Sequence, residues 1–268
     1  MRIRIAPMAN AADRSASILP MPASRHARQL ALPGFGAAAQ AMLGRSRFLI
    51  VGVGGLGAAA AHYLAAAGAG GLTLNDFDRV DETNLQRQPL YKESDLGSPK
   101  VQAAARALAA LDPRVALTLR AERLSGAELQ AEVRAATVVL DCSDNFGTRF
   151  AVNAATVAAG VPLVSAAAAG WDGLLAAFDP RAAASPCYAC AFAEADETLG
   201  DCASRGILGP LAGAIGTLAA VEAIKLATGC GEPLVGRLLR CDALQTRFHE
   251  SRLLRDPACP ICSQKEPR

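Results

Sequence analysis

The 268-residue chain is long enough for one large domain, and a 51% hydrophobic content supplies a sizeable core. A net charge of +2 and only 4% aromatic residues speak against a nucleic-acid surface or an anionic-membrane binder, so neither nucleic acid nor membrane is an expected partner. No segment reads as a membrane span, because Pro162, Glu222 and Lys225 interrupt the most apolar stretches.

Residues 1–24 carry arginines and Pro7, Pro20 and Pro22 but no continuous apolar run. They read as a disordered extension, or as the result of a start codon placed ahead of Met21, and not as a signal peptide. One domain over 25–268 in the cytoplasm is the expectation. The run Phe48–Gly54 predicts a buried strand that stops at glycine, followed by a helix to Ala67 that Gly68 and Gly70 end. Residues 71–78 predict a second strand. The next helix has Ser98 suited to its N-cap, Pro99 to its first position and Pro113 beyond its end. Residues 115–122 and 136–145 predict a third and a fourth strand. Two further strands flank a turn at Gly170–Gly173, 183–208 reads as a loop, 209–229 as a long helix, and 236–254 as antiparallel strands at a sheet edge. Strands alternating with helices predict an α/β fold, Rossmann-like, with a mostly parallel sheet covered by helices on both faces and an antiparallel C-terminal extension.

In GVGGLG the glycines are Gly52, Gly54, Gly55 and Gly57. Glycine permits a tight turn and lets backbone N–H groups approach phosphate, at the positive end of the following helix. Asp76 ends the next strand, where an acid binds ribose hydroxyls. These features alone allow either a hydride-carrying dinucleotide or ATP. The sequence then adds Asn84, Arg87, Lys100 and Asp144 near the carboxyl ends of adjacent strands. Cations that neutralise phosphate oxygens and an acid that can hold Mg²⁺ suit a triphosphate better than a nicotinamide.

Together GVGGLG, DFDRVDETNLQRQ, GSPK, DCSDNFGTR and GPLAGAIGTLAAVEAIKLATG resemble the ThiF/MoeB/HesA family, bacterial relatives of ubiquitin-activating enzymes. The resemblance covers roughly Arg25 to Cys262. It implies ATP-dependent adenylation of the C-terminal glycine of a small ubiquitin-like sulfur-carrier protein ending in Gly-Gly. It also implies that the glycine turn, Asp76, Asp78, Asn84, Gln86, Arg87, Lys100, Asp144, Asn145 and Arg149 form the nucleotide site, with Mg²⁺ at Asp144. RHARQL is similar to the family's RYNRQI, so Arg28 matches an arginine that reaches into the other subunit's site of a homodimer. The segment GWDG looks more like the thiamine-thiazole members than the molybdopterin members. Sulfur is expected from a separate donor protein.

Eight cysteines are present. Cys187 with Cys190, and Cys259 with Cys262, form two CxxC pairs that suit a four-thiolate structural Zn²⁺ tying the C-terminal tail to the loop after the sheet. A disulfide pair is the alternative. The family uses the same split arrangement. Cys202 lies in a loop before a helix start that can lower its pKa, and some family members use a cysteine there for a covalent link to the carrier. Cys142, Cys230 and Cys241 read as small core hydrophobes, and His62 as a packing residue. An NAD-dependent oxidoreductase accounts for the glycine turn and Asp76 but leaves Arg87, Lys100 and the CxxC pairs unexplained. A catalytically inactive carrier-binding relative is the third reading, against which Asp144 and Arg87 stand.

Overall fold

The computed structural model describes residues 24–192 and 206–263. The expected N-terminal extension, apart from Ser24, and Cys202 lie outside them. The strands are β1 (Arg47–Val51), β2 (Gly71–Asn75), β3 (Ala116–Arg120), β4 (Val138–Asp141), β5 (Leu163–Ala169), β6 (Asp172–Phe178), β7 (Arg237–Asp242) and β8 (Arg247–Arg252). They form one sheet in the order β3-β2-β1-β4-β5-β6-β7-β8. The pairs from β3 to β5 are parallel, and those from β5 to β8 are antiparallel. The chain winds outward from β1 through β2 to β3, then returns to add β4 on the other side. That reversal opens a crevice at the carboxyl ends of β1 and β4, the usual ligand position in such sheets.

The helices are α1 (Ala27–Leu30), α2 (Gly36–Leu43), α3 (Gly55–Ala67), α4 (Glu82–Leu85), α5 (Lys100–Leu111), α6 (Gly126–Ala135), α7 (Phe146–Ala159), α8 (Tyr188–Ala191) and α9 (Gly209–Thr228). Along β1, Phe48 and Ile50 join the core under α3, α5 and α9, while Leu49 and Val51 join the core under α6 and α7. Burial on both faces explains why this strand reads as an unbroken apolar run. α3 and α9 pack closely because small residues let their backbones approach. A Cβ on Gly216 would strike the Leu56 carbonyl, and one on Gly209 the Gln86 carbonyl.

Several expectations are corrected in detail. Pro99, not Ser98, is the N-cap of α5, because the Ser98 carbonyl accepts from Val80 N at 2.9 Å and keeps that segment extended. Within the expected loop 183–208, Tyr188–Ala191 form the short α8. α9 is long and apolar enough to cross a membrane by length and composition. It packs in the core instead, where buried Glu222 accepts from Leu234 N at 2.7 Å and pairs with Lys225. His62 is exposed on α3 beside Tyr63. Cys142 and Cys241 are buried, but Cys230 is half-buried and its Sγ donates to the Gly34 carbonyl at 3.1 Å.

Candidate active site

The crevice is a cleft of about 690 Å³. Its floor is the turn from β1 into α3. Gly52 has φ +84°, and a Cβ there would lie 2.8 Å from the Cys142 carbonyl, so only glycine fits between β1 and β4. Gly54 is the N-cap of α3 and offers no capping side chain, which leaves the helix's first N–H groups for a ligand. Gly55 also lines the cleft, closed in by Ala212 and the Arg87 carbonyl. Gly57 does not line it. A Cβ on Gly57 would collide with the Gly52 carbonyl, so this fourth glycine seats α3 on the end of β1. Tyr91 steadies the turn by donating its hydroxyl to the Val53 carbonyl at 2.6 Å, and burial pushes that hydroxyl's pKa up, which keeps it a donor.

Asp76 follows β2 and binds both neighbouring loops. Its Oδ2 accepts from Val53 N at 2.8 Å and its Oδ1 from Asp78 N at 2.9 Å. Burial pushes its carboxyl pKa up, opposed by the nearby Lys100 ammonium and by these N–H donors. Each carboxylate oxygen has a second lone pair for a ligand hydroxyl. Lys100, at the start of α5, is buried, and its Nζ lies 2.8 Å from Asp78 Oδ2. Lys100 N also donates to the Asp78 carbonyl at 2.9 Å, so the loop after β2 and the start of α5 move as one piece.

The short α4 is fixed by its own side chains. Asp81 Oδ1 accepts from Thr83 N at 2.9 Å, and buried Asn84 uses Oδ1 to accept from Asp81 N at 3.3 Å. Gln86 is exposed at the cleft wall. Arg87 is half-buried there, with Nη1 donating to the Thr83 carbonyl at 2.7 Å.

Opposite them runs the loop after β4. Asp141 is fully buried, and its Oδ1 accepts from Ser143 N at 3.0 Å and from Ser143 Oγ at 2.6 Å. Burial pushes the Asp141 carboxyl up, while the Arg149 charge opposes this. Buried Arg149 donates from Nη2 to the Ser143 carbonyl at 2.5 Å. Ser143 is therefore clamped on both sides, and Asp144 emerges beside it as an exposed carboxylate on the cleft. Asn145 caps α7 by accepting from Thr148 N at 2.9 Å. The cleft thus gathers Asp76, Asp78, Asn84, Gln86, Arg87, Lys100, Asp144, Asn145 and Arg149, with Gly52, Gly54 and Gly55. In this set Arg149 and Asn145 hold the loop's frame. An exposed oxygen ligand such as Asp144 fits Mg²⁺, a hard cation.

Arg28 stands elsewhere. It is exposed on α1, which is tied to the far end of α3: Gln29 Nε2 donates to the Ala67 carbonyl at 3.0 Å. The 13 residues of α3 separate that end from the glycine turn, about 18 Å of helix. Arg28 does not line its own chain's cleft.

The two CxxC pairs meet. The four Sγ atoms lie within 4.8 Å of one another, with 3.9 Å between Cys187 and Cys190, 3.6 Å between Cys187 and Cys259, and 3.4 Å between Cys190 and Cys262. Zinc–thiolate bonds of ~2.3 Å in a tetrahedron put sulfurs about 3.8 Å apart, whereas a disulfide needs about 2.05 Å. The thiolate set fits Zn²⁺. Asn153 of α7 donates to Cys187 Sγ at 3.6 Å and accepts from Tyr188 N at 2.9 Å, which orients the first CxxC turn. Arg255 Nη2 donates to the Cys262 carbonyl at 2.8 Å and steadies the second.

Sequence patterns missed three features of the cleft. Asp141 and Ser143 build the loop that carries Asp144, through contacts that no spacing rule encodes. Arg123 lies over the Phe77 ring at 4.5 Å on the cleft wall, joining residues 46 positions apart. Gln88 lines the cleft although buried.

A model of the ThiF family matches residues 26–261. The molybdopterin-synthase adenylyltransferase of Escherichia coli is 44% identical over 240 residues, covering 90% of this chain and 96% of that protein. The sulfur carrier protein ThiS adenylyltransferase of the same organism is 41% identical over 238 residues, covering 89% and 94%. The crystal structure of Escherichia coli MccB with ATP matches with a TM-score of 0.76 at 23% identity, over 90% of this chain and 75% of that one, a likeness of fold.

Proposed function

The chain belongs to the ThiF family, and on that premise we propose that it is an adenylyltransferase that uses ATP to adenylate the C-terminal glycine carboxylate of a small ubiquitin-like sulfur-carrier protein, releasing pyrophosphate. The observation that carries this reading is one cleft in which a glycine turn at a helix N-terminus faces Arg87, Lys100 and the exposed Asp144. Relatives above 40% identity bear the name adenylyltransferase, among them one for molybdopterin synthase and one for the carrier ThiS. With 44% and 41% identity on the two sides, the carrier is proposed as a class, and the GWDG turn keeps the thiamine-thiazole branch in it. A nicotinamide enzyme would have no use for this concentration of cations, and an inactive carrier-binding relative would have no use for Asp144.

In the proposed reaction the carrier's ionised carboxylate attacks the α-phosphorus of ATP and the bond to pyrophosphate breaks. No proton leaves the nucleophile, so the site needs no general base. Its task is to bring two anions together and hold them in line. Arg87 offers a planar fork and Lys100 a compact charge to the phosphate oxygens. Lys100 is held ready by Asp78, and phosphate competes for the same ammonium. Asp76 and Asn84 are assigned to the ribose and phosphates. Asp144 is assigned to Mg²⁺, which when bound supplies charge neutralisation on the departing pyrophosphate. The four cysteines are assigned to a closed structural Zn²⁺.

We assign Arg28 to the cleft of a second copy of the chain in a homodimer. Its position at the far end of α3 supports that assignment, since it has no route to its own cleft. A separate protein is proposed to donate sulfur, and Cys202, outside the described residues, is proposed to attack the carrier's acyl-adenylate, forming a thioester as the acyl–phosphate bond breaks and AMP leaves. We also propose a cytoplasmic location, which ATP use and the absence of disulfides among the described residues fit. Carrier-dependent ATP–pyrophosphate exchange with a carrier ending in Gly-Gly tests the reading, and no exchange with any such carrier would overturn it.

A further inference from the structure

The Gln88 side chain has no part in anything described so far. It follows Arg87 and lines the cleft, yet the residue is only 2% exposed. Its Oε1 is buried without a hydrogen-bond partner. Its main chain is fully engaged: Gln88 N donates to the Asn84 carbonyl at 3.0 Å, and the Gln88 carbonyl accepts from Tyr91 N at 3.0 Å. The fold therefore fixes the residue's position and leaves its Oε1 unsatisfied. A buried carbonyl without a donor destabilises the free protein, and a leucine of similar volume would fill the space without that cost.

The amide sits at an informative place. A Cβ built on Gly54 would stand 3.7 Å from Gln88 Nε2, so the amide lies against the N-cap of α3. There the first N–H groups of a 13-residue helix have no intrahelical partner and the positive end of its dipole faces the cleft. An anion arriving at that point meets an amide that need break no existing bond at Oε1 to reorient. We propose that Gln88 is a nucleotide-binding residue, its Nε2 donating to the phosphoryl oxygen seated at the N-terminus of α3. The inference rests on the reading of the cleft as an ATP site. It adds a neutral donor between the glycine turn and Arg87. A donor without charge suits the α-phosphoryl group, which must accept an anionic nucleophile while staying oriented.

The test uses the full chain, a non-hydrolysable ATP analogue with Mg²⁺, and two variants, Gln88→Leu and Gln88→Glu. Calorimetry reads the affinity, and thermal denaturation without nucleotide reads the fold. For Gln88→Leu the expected result is a Tm equal to or above the parent's with binding weakened about ten- to a hundredfold, as for loss of a hydrogen bond to a charged group. Gln88→Glu keeps the shape, adds a carboxylate beside the phosphate, and is expected to bind more weakly still at pH 8. Parent-like affinity in Gln88→Leu overturns the proposal. So does a lowered Tm or failure to fold in both variants, since Gln88 would then serve the fold. Exchange by the parent separates the two claims. Weakened analogue binding in the variants with no exchange by the parent would sink the adenylation reading and leave Gln88 standing. Parental exchange with unchanged affinity in the variants would sink Gln88 alone.

Discussion

Replacing Cys259 by serine asks the sharpest structural question, because this thiol is 0% exposed and 3.6 Å from Cys187. Apparent binding energies of structural zinc sites reach about 10–16 kcal/mol in small peptides, as large as the whole stability of a domain at about 5–15 kcal/mol. The tail tied here is short, so the loss is felt locally. The scale is the cost of a buried polar group left without its partners, about 1–3 kcal/mol. In a chain of this length about 1 kcal/mol moves Tm by about 2–4 °C, so Cys259→Ser should melt lower by at least about 2–4 °C and by up to about 12 °C. The same protein should carry no zinc, while the parent carries one atom per chain by elemental analysis after purification without added metal. Limited proteolysis should cut the variant first after Arg252 or Arg255, where the tail leaves β8. Nucleotide binding should survive below the transition. The metal shell touches α7 at Asn153, and the cleft touches it no nearer than Arg149, four residues or about 6 Å earlier. An unchanged Tm in a zinc-free variant would refute the structural role. A disulfide between these cysteines in the parent would refute the metal itself.

Asp144→Ala and Arg87→Ala should each lower carrier-dependent pyrophosphate exchange at least about a hundredfold, the scale of removing one group that stabilises developing charge, with Tm within a degree or two. Near-normal exchange in either variant removes the phosphate-and-metal assignment. Mixed Arg28→Ala and Asp144→Ala subunits should regain part of the activity that each lacks alone, because one hybrid site is then complete. No recovery, in subunits shown to exchange, counts against a shared site. Cys202→Ser should keep pyrophosphate exchange and lose any thiol-labile thioester with the adenylated carrier, formed as the cysteine displaces AMP. An equal adduct in the variant would make Cys202 a structural residue.

What could be read from the sequence follows from where each signal is local. The central strands were legible because burial on both faces leaves no polar interruption: Phe48, Leu49, Ile50 and Val51 alternate between the two cores. The antiparallel edge was legible through the turn expected at Gly170–Gly173, which the structure narrows to Gly170 and Trp171, and through the run 236–254, which divides into β7 and β8. Helices other than α3, α5 and α9 were not, α6 and α7 among them. α6 commits only Leu129 and Val133 to burial, too few for a period. α7 begins at Asn145 inside a motif whose polar residues read as ligands. The same ambiguity affected the site. Gly57 looks like a fourth phosphate-binding glycine until the Gly52 carbonyl is found against it, and the motif gives no sign that Arg149, which lines the cleft, also holds the Ser143 carbonyl. Gln88 closes the DFDRVDETNLQRQ motif, but what distinguishes it within that run is a missing partner in three dimensions.

A glycine turn with an acid at the end of β2 is compatible with either a hydride carrier or ATP, and the deciding difference is what surrounds the phosphates. A dinucleotide's pyrophosphate needs only N–H donors and a helix dipole, because its charge stays fixed through the reaction. ATP that is to be cut gathers charge on a leaving pyrophosphate and must accept a second anion. This cleft answers that need with Lys100, kept buried beside Asp78, and Arg87, kept half-buried beside Thr83. A buried cation costs desolvation, so a fold that holds one at an open cleft gains from it only when an anion arrives. The Asp78 carboxylate offsets that cost in the free protein, and it is itself exposed enough for solvent to take over when phosphate draws Lys100 away. The clamp of Asp141 and Arg149 on Ser143 does the matching work on the other wall, presenting Asp144 as an exposed carboxylate to which Asn145 Nδ2 donates only at 3.4 Å. Both walls therefore store their charges in arrangements that a Mg-triphosphate can take over at little cost, which a nicotinamide could not exploit.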